Sequence, residues 1–522
     1  MDEPEMMKDQ SLWIRKVSLS PPSLKDNTAD VDRLVHALKT ELETRTIEID
    51  LPLARRIPHL LRTFEYEVAC ILFRGSESWH LLSVKSPSDP RITAGLAVDL
   101  GTTRVVLRLL NLLNGSVLGE TAFDNPQIEI GPDILARIHF SDMDKGLEKL
   151  NALILGGLNE HIQRLCAESG LEPGDIYALS LAGNTTMTHL FMGLDPHWII
   201  REPYIPVMNR MGLYLAEDLG IHIHPRARAI IFPNVGSYFG GDLMAGILYS
   251  GLNRREETAI LVDVGTNAEV VVGNKNWMIA CAGAAGPALE GGMSRMGMMA
   301  GPGVIDRVEI DPANLGFRFH TINDQRPRGI CGSGVIDLAA QLFQKGMMDI
   351  RGRLVPARCG NRLVEENDMR HLVVVSAEDS ATGKDLRVSQ ADLDSLIRSK
   401  AAMYSILETI TMAVGLNFND LTTFYVAGTF GSFINPASAI TIGMIPDLPL
   451  ERYESIGNSS LEGATMILTG KGGLQEMDEI RNGITYMELN VNQDFMNRFS
   501  AAKFLPHTDP FRFPSVLKPL GT

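Results

Sequence analysis

The stretch Gly95-Leu-Ala-Val-Asp-Leu-Gly-Thr-Thr-Arg-Val-Val-Leu-Arg-Leu-Leu110 constrains this chain most, because an apolar run delivers Asp99 into a glycine turn and a second apolar run leaves it. Residues 96–98 read as a buried strand, Gly101 as the point where the backbone can swing close to a ligand, and residues 105–110 as the returning strand. Asn114-Gly115 then turns the chain into a third strand over residues 117–123. A Walker loop is excluded, since the glycines lack the GK[ST] ending and a strand, not a helix, follows them. Backbone N–H groups at Gly101 and the hydroxyls of Thr102 and Thr103 suit phosphate oxygens, and Asp99 suits a hydrated Mg²⁺ beside them. A single turn of this kind also occurs in plain hairpins. Here it recurs: residues 258–273 place Asp263 after an apolar strand and before Gly265-Thr266-Asn267, with another apolar strand behind. Two copies predict two related lobes facing one cleft, with Asp263 as the second carboxylate for the metal and the turn as a second phosphate contact.

At 522 residues and 45% hydrophobic content the chain has material for several domains. Its net charge of −15 argues against nucleic acid or an anionic membrane as the main partner. No apolar run reaches membrane-spanning length and the N-terminus is charged, so a cytoplasmic location is expected. The five cysteines, Cys70, Cys166, Cys281, Cys331 and Cys359, form no close cluster. Reduced, buried thiols are expected, with neither a disulfide framework nor a zinc or iron–sulfur site. His222 and His224 lack further ligands nearby and read as a surface loop.

Composition places a proline-bearing arm at residues 1–30, a small α/β domain at 31–92, a first lobe at 93–254 and a second lobe with a C-terminal return segment at 255–522. In the small domain, residues 32–43 read as a helix and 47–53 as a short strand. A strand over residues 175–181 ends in Gly183-Asn-Thr-Thr186, a position where α/β folds place ligands, so Asn184 and Thr185 are either cleft residues or a helix cap. Asp242 either orients an attacking water or caps the helix that Gly240-Gly241 opens. Gly332, Ser333 and Gly334 begin a helix whose N–H groups suit a nucleotide. Residues 356–388 read as irregular around one strand at 371–375. Ser389-Gln-Ala-Asp392 is a capping box for a long amphipathic helix. After a strand at 422–426, Gly428-Thr429-Phe430-Gly431 is a glycine turn able to accept adenine and ribose.

Three glycine-centred turns in the order phosphate 1, phosphate 2, adenosine resemble the actin, sugar-kinase and heat-shock-chaperone ATPase superfamily. The motifs Gly95-Leu-Ala-Val-Asp-Leu-Gly-Thr-Thr103, Asn125-Pro-Gln127, Gly183-Asn-Thr-Thr-Met187, Gly329-Ile-Cys-Gly-Ser-Gly334 and Val426-Ala-Gly-Thr-Phe-Gly431, with Trp13 and Pro21-Pro22-Ser23 in the arm, narrow it further. They are similar to those of the ATP-dependent reductive activators of corrinoid proteins. The resemblance implies an α/β, two-lobed actin-like (RNase H-like) ATPase fold with a small N-terminal α/β domain and a linker arm. It implies ATP and Mg²⁺ as ligands, a corrinoid protein as partner, and reduction of its cob(II)alamin to cob(I)alamin; a homodimer stays open. The usual C-x₄-C-x₂-C of a ferredoxin domain is missing from these residues, so no iron–sulfur cluster is expected here and a separate ferredoxin-type donor or absent domain would supply the electron. A small-molecule kinase and a nucleotide-sensing scaffold are the alternatives.

Overall fold

The computed structural model describes residues 12–75, 77–265, 268–283, 296–311, 313–366, 368–428, 434–489 and 493–517. The chain forms two compact units, Met1–Tyr249 with Ser459–Gly483 and Ser250–Asn458 with Ile484–Thr522.

The first unit begins with a four-stranded sheet of β1 (Leu12–Ser18), β2 (Ile47–Glu48), β3 (Glu67–Arg74) and β4 (Trp79–Lys85), in the order β1-β3-β4-β2. Leu34 and Leu38 from the helix Asp30–Glu41, with Ile57 and Leu61 from the helix Ile57–Thr63, join Val68, Cys70 and Leu72 in its core. Two expectations change here. Residues 12–18, read as part of a free arm, pair antiparallel along β3 from Leu12 opposite Phe73 to Ser18 opposite Glu67. The strand expected at 47–53 stops after Glu48, because Asp50 accepts the Leu53 N–H and Pro52 favours the first turn of a short helix, Leu51–Ala54.

The larger sheet of this unit holds β5 (Ala94–Leu100), β6 (Arg104–Asn111), β7 (Val117–Asp124), β8 (Ile176–Gly183), β9 (Leu213–Leu215) and β10 (Arg228–Ile231), in the order β7-β6-β5-β8-β10-β9. β5, β6 and β7 are an antiparallel meander, while β8 and β10 run parallel to β5. Strand alternation splits the side chains by size. Leu96, Val98, Leu100, Leu179 and Leu181 pack with Leu150, Ile154, Leu158 and Ile162 of the helix Gly146–Glu168. The other face carries small buried residues, Ala97, Ser180 and Ala182, and the helix Ser459–Thr469 lies against β5 and β8. That helix comes so close to its neighbour Gly241–Ser250 that a Cβ on Gly463 would stand 2.3 Å from the Ala245 carbonyl oxygen. Arg108 of β6 pins it further, with one nitrogen 2.8 Å from Glu462 and another 2.8 Å from Glu120.

The second unit repeats the plan. β11 (Ala259–Val264), β12 (Ala268–Asn274) and β13 (Trp277–Gly283) form the meander, and the later strands β20 (Thr423–Ala427) and β21 (Tyr453–Gly457) run parallel to β11. With β22 (Ile484–Tyr486) the order is β21-β20-β11-β12-β13-β22. The helix Gln390–Ala413 packs on β12 and β13 and starts with the expected reciprocal cap: the Asp392 N–H donates to Ser389 Oγ at 3.1 Å and the Ser389 N–H to Asp392 Oδ2 at 2.8 Å. β14 (Val304–Ile310), β15 (Phe317–Thr321) and β16 (Gly329–Ile330) make one small sheet. β17 (Leu363–Glu366), β18 (Met369–Val375) and β19 (Leu386–Ser389) make another, where an irregular stretch with one strand was expected. The C-terminal segment is clasped onto the long helix by buried Lys400, whose Nζ donates to the Phe504 and Pro506 carbonyls at 2.6 Å each, and by Arg512 bonded to Glu408.

Candidate functional site

In an open α/β sheet, ligands gather where parallel strands present their carboxyl ends. In the first unit those are the ends of β5, β8 and β10, and the sequence-predicted residues collect there. Asp99 sits next to the end of β5, opposite Ala182 of β8. Directly after β8, Asn184 caps the helix Thr185–Met192 by accepting the Met187 N–H at 2.9 Å, and its Nδ2 donates to Thr102 Oγ1 at 3.0 Å. Asn184 is thus the cap that one reading of the sequence expected, and it also stands beside the first turn. Thr185 is turned inward: its hydroxyl is buried and donates to the Gly236 carbonyl at 2.7 Å.

Asp242 arrives by close backbone packing. A Cβ on Gly240 would stand 2.4 Å from Asn184 Cα, and one on Gly241 would stand 2.7 Å from Phe232 Cβ, so only glycines let the helix Gly241–Ser250 start against the end of β8. Asp242 Oδ1 accepts the Leu243 N–H at 2.8 Å. Burial, and then the charge of Asp99, push its carboxyl up to about 6. Asp242 therefore anchors a helix start and also lies in the field of Asp99. Two carboxylates, a threonine hydroxyl and an asparagine amide form the oxygen-rich set that suits a hydrated Mg²⁺ and phosphate. A carboxyl raised to about 6 has the basicity that suits proton transfer near neutral pH.

The turn itself is held from behind. A Cβ on Gly101 would stand 2.2 Å from the Arg104 carbonyl oxygen, which fixes glycine there. The Gly101 carbonyl accepts from Asn125 Nδ2 at 3.0 Å, the Thr102 carbonyl from Arg137 Nη2 at 2.7 Å, and the Thr103 carbonyl from the Asn125 N–H at 2.8 Å. Asn125 and Arg137 are buried and were not singled out as site residues from sequence. Asn125 had entered only as part of the Asn125-Pro-Gln127 motif, and Arg137 carried no signal beyond a polar type in an ordinary helix segment.

In the second unit, Asp263 lies opposite Ala427 of β20 and Glu269 of β12. Gly428 follows with φ +79°, and a Cβ there would stand 2.8 Å from Asp263 Oδ1. The structure so joins the second carboxylate to the start of the third glycine turn, next to Gly265 at the end of β11. Thr266, Asn267, Thr429, Phe430 and Gly431 lie outside the described residues. Gly332, Ser333 and Gly334 form the first turn of the buried helix Gly332–Gln344. A Cβ on Gly334 would stand 2.4 Å from the Ile305 carbonyl oxygen, and Ser333 Oγ is 3.1 Å from Cys331 Sγ, so this turn is packed tightly on the small sheet of β14 and β16. All five cysteines are buried, and burial raises the Cys70 thiol to about 12 and that of Cys166 to about 11. Among the described residues no three His, Cys, Asp or Glu side chains gather as a metal site, and no helix is long and apolar enough to cross a membrane.

Two sheets that share a five-strand order and differ in the sixth, each presenting an aspartate beside a glycine at the end of its central strand, define an α/β protein of the actin-like, nucleotide-binding ASKHA class. The chain belongs to the RACo family: residues 2–89 match the RACo linker region, 94–255 the RACo middle region, and 257–517 the C-terminal ASKHA domain of RACo. It is 30% identical over 482 residues to the corrinoid activation enzyme RamQ of Eubacterium limosum, covering 88% of this chain and 81% of that protein. A [Co(II) methylated amine-specific corrinoid protein] reductase of Methanosarcina barkeri is 21% identical over 440 residues, with 77% of this chain and 75% of that one covered. Among solved structures, a reductive activator for a corrinoid, iron–sulfur protein is similar with a TM-score of 0.89 and 38% identity, covering 97% of this chain and 81% of that chain.

Proposed function

We propose that this protein reductively activates a corrinoid protein, returning cob(II)alamin to cob(I)alamin in a reaction coupled to ATP binding and hydrolysis. The observation that carries the reading is the likeness, over 97% of the chain, to the reductive activator at a TM-score of 0.89. Asp99 and Asp263 would hold Mg²⁺, while the turns at Gly101–Thr103 and Gly265–Asn267 would meet the phosphates and the turn at Gly428–Gly431 the adenosine. Bound Mg-ATP supplies the free energy, and Asp242 would take the proton of the attacking water. Coupling is limited by how differently the nucleotide-bound and nucleotide-free states bind the corrinoid partner; each ~1.4 kcal/mol of that difference moves a one-electron potential by ~59 mV. The electron would come from a ferredoxin-type protein or domain.

The test mixes the purified chain with a cob(II)alamin protein, a small ferredoxin and a reductant of moderate potential, and follows the cob(I)alamin spectrum. ATP-dependent formation of cob(I)alamin supports the reading, with phosphate release measured beside it. If the mixture yields none while a known activator does so under the same conditions, the reading is wrong.

A further inference from the structure

Behind the first glycine turn lies a cation with no anionic partner at hydrogen-bond distance among the described residues. The Arg137 guanidinium is fully buried, and its contacts are the Thr102 carbonyl at 2.7 Å, the Gly131 carbonyl at 2.9 Å, Gln127 Oε1 at 3.1 Å and Met187 Sδ at 3.2 Å. Gln127 is itself fixed, donating from Nε2 to the Leu150 carbonyl at 2.9 Å, so the fork has little freedom to turn. Burying a charge without a counter-charge in contact is expensive; burial lowers Arg137 to about 10, with Asp133 opposing it only through longer-range attraction, which leaves it a cation at neutral pH. A neutral side chain could fill the space more cheaply, so a charge held there needs a reason. Together with Asn125, Arg137 ties down the carbonyls of Gly101, Thr102 and Thr103 in succession. Carbonyl oxygens held on one side keep their negative ends away from an anion, and a positive charge behind them adds attraction that the low dielectric of the interior screens little.

We propose that Arg137 is a positioning residue for phosphate recognition: it fixes the Gly101–Thr103 turn in its anion-binding shape and supplies a buried positive charge behind it, selecting polyphosphate over the rest of the nucleotide. The inference rests on the nucleotide reading given above. Its test compares the affinities of the natural chain, Arg137→Gln and Arg137→Lys for ATP, ADP and adenosine by calorimetry, with circular dichroism and thermal melting to establish folding. In Arg137→Gln the affinity for ATP should fall at least tenfold and that for adenosine by less than twofold. Arg137→Lys, which keeps the charge and loses the fork, should fall between the two and serves alone if the glutamine variant does not fold. Any folded variant that binds ATP within twofold of the natural chain, or that loses ATP and adenosine in equal measure, overturns the proposal. Absence of ATP binding by the natural chain removes the nucleotide reading and this inference together, whereas binding by the natural chain with no selective loss in the variants overturns the inference alone.

Discussion

Each of the two aspartates stands next to the end of its strand, where a side chain contributes to a ligand more than to a core. Asp99→Ala and Asp263→Ala are therefore expected to weaken Mg-ATP binding at least tenfold each while changing the melting temperature little, as calorimetry and thermal melting would read. Asp242 is different because it is half-buried and lies in the field of Asp99. Burial, and then the charge of Asp99, raise its carboxyl from 3.8 to about 6 on folding, so the folded Asp242–Asp99 pair holds an extra proton between those values. Stability must then fall as pH rises from about 4 to about 6, and Asp242→Asn should remove that fall. The variant is expected to be more stable than the natural chain at pH 7.5, by an amount on the order of 1–3 kcal/mol, with the gain vanishing below pH 4. Denaturant melts at the two pH values decide it, and an equal effect at both would refute the assignment. The same variant should lose phosphate release if Asp242 takes the proton from water. Asp99 and Asn184 drew attention in the sequence because each stands by a glycine at a strand end, and Asp242 because it follows a glycine pair that opens a helix. Arg137 was not legible, since nothing local separates a buried arginine aimed at a carbonyl 35 residues away from an ordinary surface one.

Elements stated by local chemistry were readable, and elements made by distant pairing were not. The two hairpins announce themselves by apolar runs around a glycine turn, and the helix Gln390–Ala413 by its capping box and stripe; Ser389→Ala should cost about 1 kcal/mol in a denaturant melt. β1 gave no such signal, because its register is set by β3, 55 residues on from Leu12 to Glu67 in sequence. β17 and β19 are only four residues long, with exposed or partly exposed positions in β17 that look like loop. The sequence reading left residues 459–469 within the second lobe, and the contact of the helix Ser459–Thr469 with β5 and β8 was not legible, because small residues on a strand carry no sign of what will cover them. Gly463→Ala tests that contact directly. With the Ala245 carbonyl oxygen 2.3 Å from the new Cβ, helix and neighbour must part, and a loss of about 1–3 kcal/mol is expected.

At the scale of the molecule, the first unit is built from two separate pieces of chain, Met1–Tyr249 and Ser459–Gly483. A fragment ending at residue 255 leaves the face of Ala97, Ser180 and Ala182 uncovered and Arg108 without Glu462. Such a fragment is expected to aggregate and to bind a hydrophobic dye, whereas appending residues 459–483 through a flexible linker should restore a soluble, cooperatively melting unit. Equal solubility of both fragments would show that the return helix is dispensable. The same connectivity sets a timetable for birth on the ribosome. The strands that lead into Asp99 and Asn184 emerge early, yet the helix that seals them is translated more than two hundred residues after Tyr249, so the unit begun first must wait, half-covered, while almost the whole second unit is made.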